Sequence, residues 1–152
     1  MTRDTAFPSP FGPARTENQV RAMARLSSLG FGLWAAVSLI QAVGVWYGAS
    51  ADFEPYRQGT AGFSVFLAVV TGLLALWQWK RPNRILPVLG IAWALYELSA
   101  FLTSALVGAS LAAEGLPVWS PYLAMAAMAG SLVLHIGGVR GAAGLARLTT
   151  RS

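Results

Sequence analysis

The chain has 152 residues, of which 55% are apolar and 11% charged, with a mean hydropathy of +0.55 and a net charge of +5. A soluble domain carries about a quarter charged residues to cover its surface, so this composition excludes an ordinary soluble domain and a disordered chain, and leaves one integral membrane domain. The absence of cysteine excludes disulfides, thiolate metal sites and cysteine nucleophiles, and the single histidine, His135, excludes any site built on paired histidines.

In chain order, residues 1–18 are polar, contain Pro8, Pro10 and Pro13, and lack the apolar run of a signal peptide. They are expected to form a disordered cytoplasmic segment. Thr16 and Gln19 have capping-box spacing and mark a helix start ahead of the first span. A membrane helix needs about 20 apolar residues to cross a core of about 30 Å, and four stretches qualify within a transmembrane domain at 19–139. The first, 26–48, is uncharged. After it, Asp52 and Glu54 beside Pro55 read as a short solvated turn that serves topology rather than as a catalytic pair. The second span, 60–79, is also uncharged, and its Ser64, Thr71 and Gln78, spaced by sevens, share a face with Ala68 and Ala75. Lys80, Arg81 and Arg84 then surround Pro82. The third span, 85–113, holds one charge, Glu97, and the fourth, 118–139, holds only His135. The segment 140–152 is expected to be a flexible basic tail resting near anionic headgroups. Its glycines at 138, 141 and 144 fit neither a dinucleotide fingerprint nor a Walker loop.

Ten of the eleven basic residues fall on one side of this layout, Arg57 being the exception. The positive-inside rule places both termini in the cytoplasm. The predominance of arginine over lysine suggests a bacterial genome, hence the bacterial inner membrane. Trp46, Tyr47, Trp119 and Tyr122 mark one interface, and Trp77 and Trp79 the other. The fold class expected is therefore an all-α integral membrane protein, a four-helix transmembrane bundle.

Glu97 is the costly residue. At about 1.5 Å per residue it lies roughly 18 Å from Ile85, near the bilayer midplane. A central acid costs about 2.5–3.5 kcal/mol on an insertion scale and normally faces the bundle or a cavity. Ser38 is at matching depth on the first span, with Gln41 a turn further out, and Ser64 and Thr71 bracket that level on the second. These residues form a polar seam around Glu97. One reading makes the seam helix-packing glue, with Ala100, Ser104 and Gly108 and also Ala127 and Ser131 as small-residue contacts. The other makes Glu97 a proton- or cation-binding carboxylate. His135 lies about 6 Å inside the end of its span and is read as an interfacial histidine, secondary to Glu97 and about 12 Å from it in depth. Met125 and Met128 are read as packing residues.

No metal or cofactor is expected, and the basic clusters are explained by orientation rather than by nucleic acid. Nor is there a catalytic constellation that argues for an enzyme. The leading expectation is a non-enzymatic accessory or assembly subunit, or an oligomerising component, whose partners are the lipid bilayer and other membrane subunits or a second copy. The alternative is a proton-coupled transporter of a small amphipathic or cationic solute, working as a dimer with Glu97 as the exchangeable carboxylate. In size and span number the chain resembles the small multidrug resistance transporters. Their essential glutamate lies in the first span, whereas 26–48 has no acid here, so their function does not carry over. The short basic turn between spans two and three also resembles small four-helix DoxX-type membrane proteins.

Overall fold

The computed structural model describes residues 9–13, 16–107 and 117–149. They form five helices, α1 (Glu17–Ala24), α2 (Leu26–Gly48), α3 (Glu54–Lys80), α4 (Ile85–Leu106) and α5 (Ser120–Thr149), with a 3-10 turn at Ala51–Phe53. The continuous α1–α2 unit, α3, α4 and α5 are each long and apolar enough to cross a membrane. The protein is an all-helical, multi-pass membrane protein with four transmembrane-length helices.

The capping box forms: the Thr16 hydroxyl accepts from the Gln19 backbone at 3.3 Å, and the Gln19 side chain accepts from the Thr16 backbone at 3.2 Å. This starts α1, which passes into α2 through Arg25 with its backbone still in the right-handed helical region. Counting about 30 Å back from Gly48 at the helical rise reaches the level of Ser28, so α1 lies beyond the hydrocarbon core. Arg25 stacks over Trp79 of α3 with its guanidinium 5.1 Å from the ring centroid, a cation–π contact at the same level.

Two helix ends extend beyond the spans read from sequence. The second helix starts at Glu54 rather than Thr60: Pro55 occupies the first turn, where its missing N–H costs nothing, and Glu54 pairs with Arg57 at 2.9 Å. Glu54 therefore belongs to a helix start and not to a free turn. The third is helical to Leu106 and turns at Val107, and 108–113 of the expected span, Gly108 included, lie outside the described residues. The helix of the fourth span continues past Val139 to Thr149, so the segment expected to be a flexible tail is helical from 140 to 149.

The reason lies in the glycines of α5. The α1–α2 unit runs antiparallel to α5, pairing Ala24 with Gly141, Ser27 with Gly138 and Trp34 with Ser131. A Cβ at Gly138 would lie 2.5 Å from the Ser27 Cβ, and one at Gly141 would meet the Ala24 backbone. Glycine here permits backbone-to-backbone approach, as small residues do in membrane helix crossings. Part of the segment ahead of α1 joins this contact, since Arg140 donates to the Pro10 carbonyl at 2.9 Å.

In space the helices follow the order α3–α2–α5–α4, with a lighter contact between α2 and α4. The 81–84 turn is held by Gln78, which is fully buried: it donates to the carbonyls of Ala24 (3.3 Å) and Asn83 (3.1 Å) and accepts from the Asn83 backbone (3.3 Å). Arg84 then reaches the Ala142 and Ala143 carbonyls of α5. Beyond this knot α3 and α4 do not pack along their length. On the predicted face of α3, Ser64, Ala68, Thr71 and Gln78 are buried and Ala75 is half-buried. The inner core is Phe31, Trp34, Leu86 and Ala94, with Leu74, Ala75, Met128 and Leu132 against it.

Candidate functional site

The separation of α3 from α4 leaves a cleft of about 520 Å³. Its back is α2, through Phe31, Trp34, Val37, Ser38 and Gln41, and its sides are α3, through Phe63, Leu67 and Thr71, and α4, through Leu89, Trp93 and Glu97. Ala127 and Met128 of α5 close the floor. Four of the residues nominated from sequence, Glu97, Ser38, Gln41 and Thr71, thus line one cavity. Ser64 does not line it: its hydroxyl donates to the Thr60 carbonyl of its own helix at 3.0 Å. Thr71 likewise donates to the Leu67 carbonyl at 2.7 Å, which leaves its oxygen as an acceptor at the wall.

Glu97 is half-buried and, among the described residues, has neither a hydrogen-bond partner nor an ion-pair partner. It also lines a second cavity of about 260 Å³ between α4 and α5, with Ala100, Phe101, Ser104, Pro121 and Met125. The carboxyl therefore stands between the two spaces. Ala100 and Ser104, expected to be helix-packing residues, border that cavity, and Ser104 bonds back to the Ala100 carbonyl at 3.0 Å. Ser131 is buried in the core, where it accepts from the Trp34 indole at 2.6 Å and donates to the Met128 carbonyl at 2.9 Å. This bond turns the Trp34 ring so that its N–H is satisfied within the bundle. Trp93 lies 6.4 Å away, ring to ring.

His135 is fully buried within the bundle, midway along α5, and its partner is a side chain of α2. Its Nδ1 shares a hydrogen bond of 2.7 Å with Ser27 Oγ, while Nε2 is buried without a hydrogen-bond partner. Phe31 and Trp34 meet the imidazole edge-on at centroid distances of 4.6 and 5.5 Å. Gly30 of α2 and Gly90 of α4 face the Cε1–Nε2 edge, and a Cβ on Gly90 would come within 2.5 Å of it. Three helices thus converge on one imidazole. The ring belongs to the wall behind the cleft, and Gly90 lies about two turns along α4 from Glu97, so the two titratable groups remain apart.

Sequence reasoning missed Ser27, Gly30 and Gly90 as partners of His135. The available signal was depth: once α5 is allowed to run past Val139, the antiparallel register with α2 brings Ser27 and Gly30 beside His135. Among the described residues no three His, Asp or Glu side chains come together to hold a metal ion. Comparison with protein-family models, curated proteins and solved structures finds no match to this chain.

Proposed function

We propose that the chain is a membrane carrier for a small amphipathic organic cation, which enters the α3–α4 cleft and exchanges with a proton on Glu97. The observation that carries this reading is the convergence of Glu97, Ser38, Gln41 and Thr71 on one otherwise apolar cavity. About 520 Å³ falls within the range of small-molecule sites, which are mostly apolar with a few placed polar groups. One unpaired carboxyl beside the indoles of Trp34 and Trp93 selects for positive charge, by ion pairing and by cation–π attraction. The exchange balances simply: the protonated acid releases its proton as the cation arrives, and takes one back as it leaves. The cavity between α4 and α5 gives that carboxyl a second approach from the opposite side. Orientation follows the basic clusters, with both termini cytoplasmic in a bacterial inner membrane, and a dimer would enclose the cleft mouths.

A second reading, an accessory or assembly subunit, is favoured by the lack of packing between α3 and α4, which leaves two long faces without a protein neighbour. Size weighs against a helix as the occupant, since a helix with its side chains is about 10–12 Å across. Proteoliposome uptake of a lipophilic cation under an imposed pH gradient separates the two. The carrier reading expects uptake that Glu97→Gln abolishes while the variant still inserts and folds. The subunit reading expects no uptake by either form, and weaker co-purification of a partner with the variant.

A further inference from the structure

We propose that the pocket between α1 and the end of α5 binds the phosphate of an anionic phospholipid, an interaction independent of Glu97. The pocket measures about 310 Å³ and is lined by Val20 and Met23 of α1, by Arg140, Gly144 and Arg147 of α5, and by Gly12. Counted from Ser120 at about 1.5 Å per residue, Arg140 stands roughly 30 Å along α5, the thickness of the hydrocarbon core. The pocket therefore opens at headgroup level. Arg140 and Arg147 are two turns apart on one face of the helix, and Gly144 between them lets Val20 of α1 pack close against α5.

Val20 and Met23 are buried and give the pocket an apolar wall on α1. The two guanidiniums supply a planar donor array suited to phosphate oxygens. Arg140 spends one N–H on the Pro10 carbonyl, which fixes the group at the pocket edge and leaves further donors. Basic pockets between transmembrane helices at this level are suited to anionic headgroups. Arg140 stands at headgroup level, where lipid phosphate is concentrated, so the lipid is the favoured source of the phosphate.

The test uses the full chain in mild detergent, with lipid binding followed by native mass spectrometry. Phosphatidylglycerol is titrated against phosphatidylcholine, and inorganic phosphate is added in millimolar excess as competitor. Two arginines at a headgroup surface give about a thirtyfold preference for phosphatidylglycerol. The double variant Arg140→Gln/Arg147→Gln should lose this preference, whereas Lys80→Gln/Arg81→Gln, in the other basic cluster, should keep it. Equal binding of the two lipids, full competition by inorganic phosphate, or an undiminished preference in the Arg140/Arg147 variant each overturns the proposal. If that variant does not fold, the unaltered chain still decides. Raising salt from about 50 mM to about 500 mM shortens the screening length severalfold and should erase most of the preference, and a salt-independent preference contradicts an arginine–phosphate site.

Discussion

Ser27 Oγ and His135 Nδ1 lie 2.7 Å apart in a site closed to solvent, a polar bond between the first membrane helix and the last in an apolar interior. The same ring faces Gly30 and Gly90, which carry no side chain to compete for the space. The imidazole is thus a three-helix junction, and the cleft that holds Glu97 is built against it through Phe31 and Trp34.

Ser27→Ala leaves both ring nitrogens of His135 without a partner. The cost of an orphaned buried group is about 1–3 kcal/mol, reduced toward the lower figure if the ring finds another partner in the unfolded chain within the membrane. Denaturant titration in detergent should show that loss. Ser99→Ala, at an exposed site where the hydroxyl bonds only the Tyr96 carbonyl, should stay within about 0.5 kcal/mol.

Gly90→Ala drives a methyl group into the imidazole edge. Overpacking of this kind costs about 1–3 kcal/mol. In a His135→Ala background the methyl has room, so the two substitutions should couple by more than about 1 kcal/mol in a double-mutant cycle. Additive effects would show that Gly90 and His135 do not press on each other.

Gly141→Leu should separate α1 from α5, since the added side chain has backbone in its path. We expect a loss of about 3 kcal/mol or more, or no folded protein, read as detergent-resistant yield and melting temperature. Gly62→Ala is the contrast. Its Cβ would meet nothing within 4 Å, so it should leave stability unchanged or raise it by up to about 1 kcal/mol, the helix-propensity difference.

The legible parts of this fold were those set by the bilayer. Span number, the buried face of α3 and the Thr16–Gln19 cap all follow from period, length and local spacing. The end of α5 was not legible because Arg140 and the glycines at 137, 138, 141 and 144 look like loop composition. The approach of Pro10, Val20, Ala24, Leu26 and Ser27 explains them, and that contact joins residues more than a hundred positions apart. Residues nominated around Glu97 reach one cleft, apart from Ser64. Ser64 shares a helix face with Thr71 but stands two turns from it, outside the cavity lining. What the sequence did not show for His135 is its partner, Ser27, more than a hundred positions away on another helix.

The central claim is that Glu97 makes the α3–α4 cleft selective for positive charge. Tetraphenylphosphonium and tetraphenylborate have nearly the same shape and opposite charge, so their binding to the purified chain isolates that term. The account predicts saturable binding of the cation, little binding of the anion, and loss of the difference in Glu97→Gln at unchanged melting temperature. Equal binding of both ions, or cation binding that Glu97→Gln leaves intact, would contradict it.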